Sequence, residues 1–161
     1  MAQTNSWLML LSCLMFGSLS QGQETQTELP KAWISCPEGT NACRSYCHYF
    51  NEDRDSWVDL YHQNMHSGNL VSVLTQAEGA FVASLIRESG TDDFNVWIGL
   101  HDPKKISLHN GFLVSYKSWD IRAPSSVSPG YCASLISSSE FKKWKDMPCE
   151  AKFSFVCKFK N

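Results

Sequence analysis

Several things are missing from this 161-residue chain, and each absence removes a class of function. There is no long run of one charge: 14 basic residues face 16 acidic ones, so the polyphosphate of a nucleic acid has no basic stripe to meet. There is no P-loop, no dinucleotide fingerprint and no Gly-x-Ser-x-Gly elbow, which argues against phosphoryl transfer, nicotinamide chemistry and serine hydrolysis. No apolar run reaches the ~20 residues that cross a bilayer. Nor is there an Asn-x-Ser/Thr acceptor anywhere in residues 23–161, so N-linked glycan is not expected. Repeats and low-complexity blocks are absent too.

What is present points to export. Trp7 to Phe16 is a nearly unbroken apolar run, and Ser20-Gln21-Gly22 offers small residues where a signal peptidase cuts. Residues 1–22 therefore read as a signal peptide, although a positively charged start is lacking. Residues 23–161 would remain, one domain's worth of extracellular, secreted protein. Of the seven cysteines, Cys13 falls in this leader. Cys36, Cys43, Cys47, Cys132, Cys149 and Cys157 are left, an even set that reads as a disulfide framework whose connectivity spacing alone does not fix. Residues 23–35 are polar and read as a flexible arm.

The rest divides into helices first and strands after, an α+β order. Trp57, Tyr61 and Met65 stand at i, i+4, i+8 and predict a helix over 57–66. Thr75-Gln76-Ala77-Glu78 is a capping box: the Thr75 hydroxyl accepts from the Glu78 amide while the Glu78 carboxylate reaches back. Ala77, Phe81 and Leu85 then form one helix face, with Val82 and Ile86 beside it, and Ser89-Gly90 ends it. Val96-Trp97-Ile98-Gly99-Leu100 is a buried strand. Leu113 to Trp119 is a second strand candidate, entered through Asn110-Gly111, a strong hairpin turn. Tyr131 to Ile136, Lys142 to Asp146 and Phe153 to Phe159 follow. In the last of these, alternation puts Phe153, Phe155, Cys157 and Phe159 on one face.

In combination these segments resemble the C-type-lectin-like pattern. Trp97-Ile98-Gly99-Leu100 is similar to that fold's core motif. Cys132, Trp144-Lys145-Asp146, Cys149 and Phe155-Val156-Cys157 match its second half in order. Cys36 to Ala42, Gly68 to Gly79 and Lys142 to Asn161 resemble the lithostathine branch of the regenerating proteins. The resemblance implies a long-form C-type-lectin-like domain over residues 36–161, two helices with short antiparallel strands braced by disulfides. It implies bridges Cys36–Cys47 and Cys132–Cys149, no enzyme activity, and a secreted protein of exocrine pancreas and gut with growth-promoting and mucosal-defence (antimicrobial) roles. Its partners would be a cell-surface receptor or a glycan such as peptidoglycan. By the same resemblance Thr25 and Thr27 are candidate O-glycan carriers. The arm would be cut at Lys31, since Trp33 occupies the usual arginine position, and the trimmed form would self-associate.

Three departures from that pattern stand out. The family's third bridge joins the first helix to the last strand; Cys157 is present, but His62 occupies the helix position. Cys43 stands where an aromatic residue is usual, and would pair with Cys157, stay free or link two chains. The first helix is two residues short, and the segment 101–111 has no tryptophan. These changes admit a second reading, a divergent copy that folds poorly or self-aggregates with little ligand binding.

The chemistry is correspondingly thin. Lectins of this fold hold calcium with a Glu-Pro-Asn or Gln-Pro-Asp loop and a Trp-Asn-Asp strand. Here the loop is Ala123-Pro124-Ser125 and the strand Trp144-Lys145-Asp146, so Asp146 alone is an obvious ligand and no metal or other cofactor is expected. Lys104, Lys105 and Asp146 are the candidate contacts for a glycan bound without metal. His62 and His66 share a helix face at zinc spacing, but Gln63 stands where a metalloprotease needs its glutamate, and a substituted cysteine position is the plainer account. Asp92-Asp93 reads as a solvated turn.

Overall fold

The computed structural model describes residues 35–63, 69–101, 107–108, 115–125 and 131–160. The leader and most of the arm lie outside the described residues, with Thr25, Thr27, Lys31 and Trp33. So do Met65, His66, Lys104, Lys105 and the Asn110-Gly111 turn.

The strands are β1 (Asn41–Cys43), β2 (Tyr46–Ser56), β3 (Asn69–Leu70), β4 (Asn95–His101), β5 (Ser107–Leu108), β6 (Tyr131–Ile136), β7 (Trp144–Pro148) and β8 (Lys152–Phe159). Helix α1 spans Trp57–Gln63 and α2 spans Gln76–Ser89. One sheet runs in the order β1-β2-β8-β4-β6-β7, with β3 added to β8 and β5 to β4. Every pairing is antiparallel except β4 with β8. The fold is α+β, a C-type-lectin-like arrangement of two helices on a sheet.

Period-two alternation in β8 is real, but both of its faces are covered. Val156 joins a core with Phe81, Val82, Ile86, Val96, Ile98 and Trp144. Phe155 and Cys157 join a second core with Trp57, Leu60, Leu70 and Trp97. The strand Val96–Leu100 divides the same way. Trp97 is fully buried, and its indole N–H donates to the carbonyls of Asp55 (3.0 Å) and Ala151 (3.2 Å). Gly99 has no alternative: a Cβ there would sit 2.6 Å from the Leu70 carbonyl oxygen, while its own N–H donates to Val71 at 2.9 Å.

Helix α2 follows its sequence signals. The Thr75 hydroxyl accepts from the Glu78 N–H at 3.1 Å, and Gly90 closes the helix in the left-handed region at φ 75°. The Glu78 carboxylate reaches one residue further back than a simple capping box, to the Leu74 N–H at 3.1 Å. Helix α1 follows the predicted span over Trp57–Gln63, and positions 64–66 of that span lie outside the described residues. It has a cap of its own: the Ser56 hydroxyl accepts from the Asp59 N–H (3.1 Å) and donates to the Asp59 carboxylate (2.6 Å). Trp57 and Tyr61 stack at 5.4 Å, the i, i+4 contact expected of them.

Two strand expectations need correction. The described part of Leu113–Trp119 forms no strand; only Trp119 makes an isolated bridge, to Trp144. Its backbone is held instead through Ser118, whose carbonyl accepts from the Trp144 N–H at 2.7 Å. β7 starts at Trp144 rather than Lys142, because Glu140 and Phe141 adopt left-handed conformations (φ 56° and 60°) and turn the chain first. β2, by contrast, was not foreseen. Asn51 to Asp55 is polar and unpatterned, and the ladder to β8 slips across it, from Asn51 opposite Phe155 to Asp55 opposite Phe153.

Cys36–Cys47 closes the first hairpin and Cys132–Cys149 ties β6 to the turn after β7. Cys43 does not pair with Cys157, whose thiol is free and buried. The Cys43–Cys157 bridge is therefore not made, and geometry explains it. β1 and β8 are separated by β2, and two strand spacings of ~4.8 Å exceed the ~7 Å Cα reach of a disulfide. The two residues also belong to different cores. Burial pushes the Cys157 thiol up, which disfavours the reactive thiolate.

In native protein the Cys157 thiol should therefore react with iodoacetamide only after unfolding. Peptide mapping is expected to find Cys157 labelled at least about 100-fold more slowly in buffer than in denaturant. Equal labelling in both would mean that the second core does not close.

Candidate functional site

The surface that the family resemblance sets opposite a lectin's ligand loop is built from the turn 120–125 and β7. Trp119 packs edge-on to Trp144 at 5.5 Å, and the Asp120 N–H donates to the Trp144 carbonyl at 2.9 Å. The turn closes with the Ala123 N–H donating to the Asp120 carbonyl (2.9 Å), and the Ala123–Pro124 peptide is cis. Ser125 is thereby brought to Asp146. Its N–H donates to Asp146 Oδ1 at 2.9 Å, and its hydroxyl lies 3.4 and 3.3 Å from Oδ1 and Oδ2. Asp146 is buried on β7, while Lys145 beside it is exposed.

This donor set does not fit calcium. The ion needs six to eight oxygens, several of them carboxylate. The Ala123 and Pro124 side chains supply none, and the Asp146 carboxylate is already accepting hydrogen bonds from Ser125. Calcium would have to displace those bonds and sit near a lysine. Among the described residues, no three His, Cys, Asp or Glu side chains come together as a metal cluster. His62 is exposed on α1, and its ring packs edge-on to Tyr61 at 5.6 Å.

A second group of charges ties α2 to the sheet. Glu78 Oε1 accepts from Lys158 Nζ at 2.5 Å, and His48 Nε2 lies 3.4 Å from the same oxygen. Lys158 Nζ also sits 4.4 Å above the Tyr46 ring. His48 is fully buried and meets Phe81 edge-on at 5.1 Å. Burial pushes the Glu78 carboxyl up, but His48, Lys158 and the Leu74 amide more than offset it, and the group stays below the usual carboxylate range. Sequence reasoning found Glu78 as a helix cap and missed its larger role. No local signal marks Lys158 or His48, because they come from β8 and β2.

Of the sequence-predicted site residues, Asp146 is thus placed within the turn it stabilises. Lys104, Lys105, Thr25, Thr27 and Lys31 are outside the described residues.

Comparison with known proteins matches this geometry. A family model described as the Lectin C-type domain matches residues 61–159. Human lithostathine-1-alpha is 78% identical over an alignment that covers 100% of both chains. The chain belongs to the lithostathine, or regenerating-protein, family. A crystal structure of human lithostathine superposes with a TM-score of 0.73 at 78% identity, covering 86% of this chain and 100% of that one. The carbohydrate-recognition domain of the mouse scavenger receptor C-type lectin superposes with a TM-score of 0.66 at 25% identity, covering 79% of this chain and 99% of that one. As a regenerating protein this is a non-enzymatic, lectin-like molecule. The alignment with lithostathine-1-alpha spans 166 positions against 161 residues here, so the relative has residues that this chain lacks.

Two outcomes follow from these contacts. Glu78 has a depressed folded-state pKa, so its stabilisation is present above the unfolded value of ~4.3 and is lost as pH falls through the folded value. Glu78→Gln should cost about 2–3 kcal/mol in denaturant melts at pH 7, with the gap to wild type narrowing below about pH 4. At Asp146, substitution by Ala strands the Ser125 amide and should cost about 1–3 kcal/mol. Millimolar calcium should leave the wild-type melting temperature unchanged; a calcium-induced rise abolished in Asp146→Ala would restore the metal reading.

Proposed function

We propose that this regenerating-family chain is a secreted binding protein that engages glycan or a glycan-bearing receptor without calcium, in the growth-promoting and mucosal-defence roles of its relatives. Residues 1–22 act as its signal peptide and 23–35 as an arm that carries O-glycan at Thr25 and Thr27. Cleavage at Lys31 exposes a form that self-associates. Among the described residues no helix is long and apolar enough to cross a membrane. The observation that carries the reading is Ser125 on Asp146: hydrogen bonds hold the turn 120–125 to β7 and engage the buried carboxylate that a calcium ion would need. Carbohydrate recognition in a structurally similar receptor domain supports the class of ligand.

The free, buried Cys157 favours a second reading, a weakened family copy, because the chain lacks a bridge worth ~2–5 kcal/mol to a small domain. The labelling contrast at Cys157 separates the two readings.

Binding is tested by retention of the secreted protein on insoluble peptidoglycan and on a panel of immobilised glycans, with EDTA or with calcium. Retention equal in both buffers is expected. Retention only with calcium, or none on any surface from folded protein, rejects the proposal.

A further inference from the structure

Away from the turn 120–125 there is a groove of about 380 Å³ between the first turns of α2 and the chain entering β7. Gln76 and Gly79 form one wall, Tyr116 and Ser118 contribute the sheet side, and Lys142 and Lys143 form the other wall. It shares no lining residue with the Ser125–Asp146 turn. The volume falls in the range of small-ligand sites, ~300–1,000 Å³. We propose that this groove binds an anionic saccharide unit, a sugar carrying a carboxylate or sulfate. The proposal rests on the glycan-binding reading above and gives that reading a location and a charge.

Three features carry it. First, three polar side chains of the groove, Lys143, Tyr116 and Gln76, are not spent elsewhere among the described residues. Lys142 is partly neutralised by Glu140 at 3.0 Å, and Glu140 also lies 3.9 Å from Arg87. Lys143 makes no ion pair, and the Tyr116 hydroxyl and Gln76 amide make no side-chain hydrogen bond, among the described residues. The nearby Glu78 carboxylate is engaged by Lys158, His48 and the Leu74 amide.

Second, the lysines are held on a rigid frame. The Ser118 hydroxyl donates to the Lys142 carbonyl (2.8 Å), the Lys142 N–H to the Ser139 carbonyl (3.2 Å) and the Lys143 N–H to the Ser139 hydroxyl (2.9 Å). Glu140 and Phe141 just before them are both left-handed, a conformation that costs non-glycine residues about 1–3 kcal/mol each. Phe141 is buried in the core, which holds the strained turn in place. Little backbone ordering is left to be lost when a ligand arrives.

Third, the mixture of groups suits a sugar better than a bare ion. One uncompensated ammonium meets the acid group, while the Tyr116 phenol and the Gln76 amide offer hydrogen bonds to sugar hydroxyls. Gly79 keeps the helix wall low: a Cβ there would already touch the Tyr116 hydroxyl at 3.5 Å.

Titration calorimetry on the full secreted chain tests this with three probes: a heparin tetrasaccharide, neutral cellotetraose and sodium sulfate. Binding of the heparin tetrasaccharide is expected, at least about tenfold tighter than cellotetraose and beyond what equimolar sulfate competes away. Lys143→Glu should weaken it tenfold or more, and Tyr116→Phe about threefold, both with wild-type melting curves. Lys104→Ala with Lys105→Ala should leave it unchanged. If the Lys104/Lys105 variant loses binding while Lys143→Glu keeps it, the groove is wrong and glycan binding stands. Full competition by sulfate at matched charge overturns the sugar in favour of a simple anion site. Failure of the folded wild type to bind any saccharide, here or on peptidoglycan, overturns both this inference and the reading beneath it.

Discussion

β8 is the strand that both cores share, and covering its two faces is the constraint the other elements answer to. On one face Val156 needs α2 and the Val96–Ile98 segment; on the other, Phe155 and Cys157 need α1, Leu70 and Trp97. Three strands pair with it, β2, β3 and β4. A strand buried on both sides leaves little room for polar groups, yet Lys158 lies on it with only 9% of its side chain exposed. The cost of desolvating that ammonium is offset by Glu78 and by the Tyr46 ring, and Glu78 is also the residue that caps α2. Helix start, sheet register and hairpin are therefore fixed by one cluster of charges. Loss of any member is felt at the others, because each would be left polar and buried.

Much of this was legible in the chain because the signals are local. Thr75 and Glu78 mark the start of α2 three residues apart, and Gly90 marks its end; the structure follows both. Val96 to Leu100 and Tyr131 to Ile136 are apolar runs too short for helices, and they became strands. β2 escaped because its polar stretch carries no period; its pairing is dictated by β8, a hundred residues away. For the same reason His48 and Lys158 gave no warning of their meeting at Glu78. The expected strand from Leu113 failed where described, since Trp119 and Tyr116 pack their rings against Trp144 and the backbone there bonds to the chain entering β7.

Cysteine chemistry shows how far pattern reasoning reaches. The bridges Cys36–Cys47 and Cys132–Cys149 each close a short loop whose ends the strands already bring together. Cys157 is different: its thiol is free and buried, and the α1 position that the family resemblance would pair with it holds His62, which is exposed. Without the bridge, α1 is held by packing and hydrogen bonds: Trp57 donates its indole N–H to the Ile98 carbonyl at 2.8 Å, and Leu60 is buried beside it. Such contacts stabilise the folded chain but, unlike a disulfide, do nothing to restrict the unfolded one.

The same substitution of hydrogen bonds for a stronger tie appears at Asp146, and the two losses have different consequences. At α1, a covalent link is replaced by contacts that melt with the helix, so local opening becomes easier without changing the closed shape. At Asp146, Ser125 takes a neutral donor to a carboxylate, which holds the turn 120–125 against β7 by hydrogen bonds alone. A calcium lectin's loop exchanges ligands at the metal itself, where sugar hydroxyls join the coordination shell. Here that route is closed, since the carboxylate is buried and already engaged. Any recognition must then come from groups that remain exposed and uncompensated, and that condition, rather than likeness to a lectin loop, identifies where on this fold a ligand can be held.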